Sequence, residues 1–166
     1  DIGSGCGFPG IAIAIAMPNA NITLLDSSSK KTNFLKEDSK EIGLHSRVTV
    51  VTDRAETAGR DPLFRGKFDY AIARAVASAN VVAEYLVPFL NSTGQALIFK
   101  GDWSEIEREI LKKALIDLNA EIQRTYKFVL PNNRGVRNIV RINAKGKCPN
   151  QYPRSIGKPK KQPLGY

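Results

Sequence analysis

The chain has 166 residues, of which 42% are apolar and 25% charged, and its formal net charge is +9. This length fits one domain that can bury a core without disulfides or metals, and no apolar run approaches the ~18 residues of a membrane span. Residues 144–166 hold six lysines and arginines and no acidic residue, so much of the excess charge is local. We therefore expect a soluble, metal-free domain over residues 1–143 and a basic, proline-rich tail over 144–166.

Strand-like and helix-like segments alternate in the first half of the chain. A glycine-rich opening leads into a short helix over residues 9–17, and the apolar run at 22–26 predicts a buried parallel strand. Ser28 or Ser29 can cap the following helix, which Gly43 ends. The buried face predicted for that helix consists of Phe34, Leu35, Asp38 and Ile42.

The alternation continues to about residue 118. Residues 47–52, 68–73 and 95–100 predict three more strands, and a helix covers about 78–90. Ser104 and Glu107 form a capping box at the start of another helix. Its predicted buried face is Ile106, Ile110, Ala114 and Leu118.

The last two strand-like segments differ from the others. Residues 122–130 and 138–143 are joined by only seven residues, which is too short for a crossover helix, so they form an antiparallel hairpin. The whole pattern predicts an α/β fold of the Rossmann-like, doubly wound type, with a mostly parallel sheet that ends in this hairpin.

The opening sequence DIGSGCG lies at a predicted strand-to-helix junction, where glycines let the backbone approach a bound nucleoside. Gly5, Gly7 and Gly10 have the GxGxxG spacing of dinucleotide-binding folds, and Asp26 lies where a ribose-binding carboxylate is expected. An NAD(P)-dependent oxidoreductase is therefore one interpretation.

Two residues of the same segment favour S-adenosylmethionine instead. Asp1 precedes the first glycine, where its carboxylate can meet the ammonium group of a methionine moiety. Pro9 stands where a pyrophosphate-binding helix would offer a free N–H.

Longer segments carry a more specific resemblance. They are DIGSGCGFPGI, TLLDSSSKKTNFL, Arg54-Ala55-Glu56, Phe68-Asp69, Ala73-Arg74-Ala75-Val76, and residues 152–159 with 163–164. Together they resemble the glucose-inhibited division protein B family of methyltransferases, which modify a guanine N7 in 16S, small-subunit ribosomal RNA. The resemblance implies S-adenosylmethionine as cofactor and ribosomal RNA, or the assembling small subunit, as partner. It also implies a location in the bacterial cytoplasm or a plastid stroma, and we expect a monomer that lacks the family's N-terminal helical segment and most of its first strand.

The resemblance also implies a set of site residues. Gly3 and Phe8 line the cofactor site, Ala55 and Glu56 flank the adenine, and Arg74 closes it. With the glycine-loop pattern, the predicted cofactor-binding set is Asp1, Gly3, Gly5, Gly7, Phe8, Asp26, Ala55, Glu56 and Arg74. Arg74 is also the candidate catalytic residue, with a role in orienting cofactor or substrate.

No general base is evident in the sequence. The one histidine, His45, lies in a polar turn and is expected at the surface. Guanine N7 already presents a lone pair, so its methylation needs no proton removal, and alignment of the two reactants can supply roughly 7–11 kcal/mol. Neither Cys6 nor Cys148 lies where a pyrimidine-carbon methyltransferase needs its nucleophile.

Basic residues predict the RNA contacts, since lysine and arginine supply most of the sequence-independent grip on phosphates. The predicted set is Arg54, Lys100, Arg134, Arg137, Arg154, Lys158, Lys160 and Lys161. Tyr152 is expected either to stack on a base or to pin the tail to the domain. A catalytically silent RNA-binding module remains a third interpretation.

Overall fold

The computed structural model describes residues 1–166 and has the predicted α/β architecture. The helices are α1 (Gly10–Ala16), α2 (Ser29–Glu41), α3 (Ala55–Ala58), α4 (Ala79–Leu86), α5 (Glu105–Asp117) and α6 (Lys158–Lys161). The strands are β1 (Ile22–Asp26), β2 (Val48–Thr52), β3 (Phe68–Arg74), β4 (Leu90–Lys100), β5 (Ala120–Val129) and β6 (Val136–Ala144). None of the helices combines the length and the apolar character that crossing a membrane requires.

The strands form two sheets that continue one another. In the smaller sheet β1 pairs in parallel with β2, and in the larger one the order is β3-β4-β6-β5. Strand β3 is parallel to β4, whereas β6 is antiparallel to both β4 and β5. The predicted mostly parallel sheet with a terminal antiparallel hairpin is confirmed.

Ile2 connects the two sheets. It forms parallel bridges to Leu25 of β1 and to Ala73 of β3. Its N–H donates to the carbonyl of Ile72 at 2.8 Å, and the N–H of Gly3 donates to the carbonyl of Leu25 at 2.8 Å. The residue before the glycine loop thus holds a strand position between β1 and β3, which places the loop at the carboxyl edge of the sheet.

The structure corrects the predicted buried faces of two helices. In α5 the predicted Ala114 and Leu118 are buried together with Leu111 and Leu115, whereas the predicted Ile106 is 75% exposed. A spacing of exactly four residues drifts around a helix of 3.6 residues per turn, so a run of three such steps leaves the core face. In α2 the buried positions are Thr32, Leu35 and Ser39, and the predicted Phe34 and Ile42 are exposed.

Residues 144–166 do not form a separate tail. The side chains of Cys148 and Tyr152 are buried in the main hydrophobic core, and Leu164 packs against it. The guanidinium of Arg65 donates to the carbonyls of Cys148, Pro149 and Tyr152 at 2.6–3.0 Å. Residues 144–166 therefore pack against the predicted domain of residues 1–143, through distant contacts that local composition cannot reveal. Of the two expectations for Tyr152, the structure supports pinning of the tail.

Candidate functional site

The glycine loop is shaped by a close approach to Val76. Gly3 has a φ of +69°, and a Cβ at this position would lie 2.7 Å from Cγ2 of Val76. A side chain would therefore be strained in its backbone and in collision with a neighbour. The sequence keeps glycine here because the loop passes directly over the residues that follow β3.

The first backbone N–H groups of α1 already have acceptors within the chain. Pro9 has none, the N–H of Gly10 donates to Oδ2 of Asp1 at 2.8 Å, and the N–H of Ile11 donates to the carbonyl of Gly7 at 2.6 Å. A dinucleotide pyrophosphate normally binds such a helix end through free N–H groups. The occupied helix end, with a carboxylate beside it, therefore does not support the nicotinamide interpretation.

A cavity of about 330 Å³ lies at the carboxyl ends of β1, β2 and β3. Ligands of doubly wound sheets bind at this edge, and small-molecule pockets typically measure about 300–1,000 Å³. We call it the cofactor cavity. The lining includes Gly3, Asp26, Lys31, Asp53, Arg54, Ala55, Glu56, Ala75, Val76, Tyr85, Gly157 and Lys160.

Asp26 is the best-defined polar group of this cavity. Its Oδ2 accepts a hydrogen bond from the N–H of Gly5 and its Oδ1 accepts one from the N–H of Ser28, both at 3.0 Å. These two bonds fix the carboxylate, and each oxygen keeps a lone pair for a further donor. Asp26 therefore supports the loop and can also accept hydrogen bonds from ribose hydroxyls.

Glu56 and Tyr85 lie on the same cavity. Glu56 is 5% exposed and its Oε1 accepts a hydrogen bond from the N–H of Gly157 at 3.0 Å. Burial, and next the negative charge of Glu56, raise the pKa of Tyr85 to about 12. The phenol is therefore a neutral hydrogen-bonding group at physiological pH.

A second, wider cleft of about 1,030 Å³ adjoins the cofactor cavity. We call it the substrate cleft. Its lining includes Arg74, Ala75, Phe99, Lys100, Glu107, Phe128, Arg137 and Asn138. Ala75 lines both spaces and has a φ of 56°, a left-handed conformation that is rare for alanine. Such strain concentrates at functional sites, so the two spaces meet at a constrained point.

Five of the predicted cofactor residues fall outside the cofactor cavity. Arg74 lies on the substrate cleft instead. Oδ2 of Asp1 accepts a hydrogen bond from the N–H of Gly10, whereas its Oδ1 is buried without a partner, so the contact with a methionine ammonium stays a prediction. Gly5 and Gly7 belong to the glycine loop and have positive φ, and Phe8 is 56% exposed; none of the three lines the cavity. Gly3, Asp26, Ala55 and Glu56 do line the cavity as predicted.

The predicted RNA-binding residues lie in different surroundings. Arg154 is held in a buried ion pair with Glu84 and is unsuited to gripping phosphates. Lys100 lines the substrate cleft, but its ammonium lies 2.7 Å from Oε1 of Glu107. Arg54 and Lys160 lie on the cofactor cavity. Arg134, Arg137, Lys158 and Lys161 remain exposed.

Sequence reasoning missed several residues of both spaces. Tyr85 and Gly157 line the cofactor cavity, and the half-exposed Phe128 lines the substrate cleft. No local motif marks these positions, because each reaches its site only through tertiary packing. Among the missed residues, Asp53 was the easiest to predict from the sequence, because it follows β2 at the ligand-binding edge of the sheet.

The residues present fit an adenosyl cofactor. The site combines three features. Asp26 offers a fixed carboxylate to the ribose, Gly3 lies too close to Val76 to carry a Cβ, and the cavity lies at the carboxyl edge of the sheet. This fold and this site are those of the Rossmann-like class I methyltransferases.

The comparison with known sequences gives the family. The profile of GidB, rRNA small subunit methyltransferase G, matches residues 1–138. The Ribosomal RNA small subunit methyltransferase G of Prochlorococcus marinus (strain NATL2A) is 84% identical over 166 residues, which cover 100% of this chain and 67% of that protein. The protein of the same name from Parasynechococcus marenigrum (strain WH8102) is 50% identical over 165 residues, covering 99% of this chain and 66% of that protein. The chain belongs to the rRNA small subunit methyltransferase G family, and it spans about two thirds of the length of these relatives.

Solved structures show the same fold at low identity. Magnesium protoporphyrin IX methyltransferase from Synechocystis PCC 6803, with bound SAM, aligns with a TM-score of 0.65 at 19% identity, over 87% of this chain and 68% of that chain. M. capricolum TrmK, in complex with S-adenosyl-homocysteine, aligns with a TM-score of 0.65 at 14% identity, over 89% of this chain and 62% of that chain. These likenesses confirm the predicted class of fold.

Proposed function

We propose that this chain is the S-adenosylmethionine-binding and catalytic part of an enzyme that methylates N7 of a guanine in small-subunit ribosomal RNA. The single observation that carries the proposal is the junction at Ala75. This residue lines the cofactor cavity on one side and the substrate cleft on the other. Family membership supplies the substrate class.

The chain's own residues would position the two reactants. Asp26 accepts hydrogen bonds from ribose hydroxyls, and Ala55 and Glu56 lie beside the adenine. When bound, the cofactor supplies an electrophilic methyl group on its sulfonium. The constrained turn at Ala75 holds the opening between the two spaces, so that a guanine in the substrate cleft faces the cofactor cavity.

Arg74 is the residue best placed to orient the guanine. It ends β3, is exposed, and lies on the substrate cleft beside Ala75. A guanidinium commonly binds O6 and N7 of guanine together, but N7 must stay free to attack. We therefore assign Arg74 to O6 or to a neighbouring phosphate. N7 carries no proton, so the residues need only align the reactants and no general base is required.

The grip on RNA would come from exposed basic residues of the β5–β6 hairpin and of α6. Arg134 and Arg137 lie on the β5–β6 hairpin, and Lys158 and Lys161 lie on α6. Phe128, which is 48% exposed on the cleft, can stack on a base. The partner is small-subunit ribosomal RNA, free or in an assembling subunit, and we place the enzyme as a monomer in the bacterial cytoplasm or a plastid stroma.

The test is a labelled-methyl assay of the full-length protein with small-subunit ribosomal RNA, followed by nucleoside analysis. We expect label in 7-methylguanosine with the wild type and at least a tenfold slower transfer with Arg74→Ala, since misplaced reactants lose this order of rate. RNA binding without any transfer would support the silent RNA-binding module instead. Label in a different nucleoside would refute the N7 assignment.

A further inference from the structure

Residues 152–161, which we call the C-terminal strap, are held against the domain by two anchors, at Arg154 and at Gly157. The guanidinium of Arg154 contacts both carboxylate oxygens of Glu84, with Nη2–Oε2 at 2.6 Å and Nε–Oε1 at 2.9 Å. The backbone N–H of Arg154 donates to Oε1 of the same carboxylate at 2.8 Å. Because the side chain of Glu84 is 1% exposed, this anchor is shielded from solvent.

The second anchor brings the strap to the cofactor cavity. Gly157 has a φ of +78° and donates its N–H to Oε1 of Glu56, which lies on the cavity. Two residues later the side chain of Pro159 is buried, and the exposed Lys160 lines the cavity. Lys161, the next residue, is exposed and does not line the cavity. The strap therefore supplies one wall of the cavity and one cation facing it.

Three acidic and three basic side chains line the cavity, and Lys160 is one of the basic ones. Asp26, Asp53 and Glu56 line the cavity with Lys31, Arg54 and Lys160. Lys31 already lies 3.8 Å from Oδ2 of Asp26, on the β1 side. Lys160 is the cation that comes from the strap, three residues after Gly157, whose N–H is bound to Glu56 on the side where we place the adenine.

We infer that the C-terminal strap contributes to cofactor binding, with Lys160 donating a hydrogen bond to an acceptor of the adenosyl group. The inference rests on the proposed function and adds to it a cofactor-binding residue and a coupling between ligand binding and docking of the strap. If the strap contributes to binding, then bound ligand must in turn stabilise the docked strap by the same factor, because coupling between two sites is reciprocal. The strap thus serves as a cofactor-dependent element, in addition to carrying the exposed Lys158 and Lys161.

The first test measures binding of S-adenosylhomocysteine by calorimetry to the full-length wild type, Lys160→Ala and Lys161→Ala. The two variants remove the same charge from adjacent residues, and only one of them lines the cavity. We expect Lys160→Ala to bind about tenfold more weakly, as for one charge-assisted hydrogen bond, and Lys161→Ala to stay within about twofold of the wild type. Equal affinity of Lys160→Ala and the wild type would overturn the contact.

The second test follows the strap itself through limited digestion with trypsin. Saturating S-adenosylhomocysteine should slow cleavage after Lys161 in the wild type, and should slow it much less in Lys160→Ala. Equal cleavage with and without ligand would overturn the coupling. Failure of the wild type to bind S-adenosylhomocysteine at all would refute the proposed function as well. Normal binding that is indifferent to the strap would refute this inference alone.

Discussion

Arg154 and Glu84 form a bidentate ion pair between residues that lie 70 positions apart in sequence. The side chains are 17% and 1% exposed, so this is the most buried ion pair of the chain. Glu84 also raises the pKa of Arg154, chiefly through its hydrogen bonds to the guanidinium. The pair ties the C-terminal strap to α4, which is itself buried throughout.

Arg154→Ala should lower the free energy of unfolding by about 3 kcal/mol, because it leaves the carboxylate of Glu84 buried with only one backbone donor. Urea unfolding measures the loss. Arg108→Ala is the matched control, since Arg108 pairs with Glu105 on the surface and such pairs contribute about 0–1 kcal/mol. Equal losses in the two variants would show that the Arg154 pair is as weak as a surface one.

Tyr85 should make stability depend on pH in the alkaline range. Burial and the neighbouring Glu56 raise the pKa of Tyr85 from 10.0 to about 12. Below pH 10 the phenol is protonated in both states and its contribution is fully present. As the pH rises from 10 to 12 the unfolded state ionises first, so that contribution is lost. The difference in unfolding free energy between the wild type and Tyr85→Phe should shrink over this range, and a constant difference would contradict the raised pKa.

Asp26→Ala should weaken both the cofactor site and the fold. A role in ribose binding alone would give a loss of cofactor affinity with the fold intact, but the carboxylate also accepts hydrogen bonds from Gly5 and Ser28. Unpairing two N–H groups costs about 1–3 kcal/mol each when they are buried. Asp26→Asn keeps one acceptor and should lose less stability. Calorimetry with S-adenosylhomocysteine should still show weaker binding, and unchanged affinity in both variants would remove the ribose assignment.

Gly3→Ala should destabilise the glycine loop by about 1–3 kcal/mol, through the collision with Val76 and the strained φ. Val76→Ala added to Gly3→Ala removes the collision and leaves the backbone strain. The double variant should therefore recover part of the stability, as measured by urea unfolding in a double-mutant cycle. Purely additive losses would show that the two residues do not meet in solution.

Replacement of the exposed basic residues should weaken RNA binding and flatten its salt dependence. The variant changes Arg134, Arg137, Lys158 and Lys161 to alanine. Each lost phosphate contact should reduce the slope of log affinity against log salt by about 0.7–0.9. A control with Lys30, Lys36, Lys112 and Lys113 changed to alanine removes the same charge from α2 and α5. Equal effects would mean that net charge matters rather than this surface.

The sequence by itself determined the main strands and helices in chain order, the capping box at Ser104 and the position of the carboxylate Asp26 at the end of β1. These features depend on periodicity and on spacing within about 25 residues, and local physical chemistry decides them. The same information could not reveal which basic residues are free, because Arg154 and Glu84 meet only in the folded chain. It also could not place Gly157 and Lys160 on the cofactor cavity. Only the tertiary structure brings the last twenty residues back over the ligand-binding edge, through one buried ion pair, the carbonyl contacts of Arg65 and one hydrogen bond to Glu56.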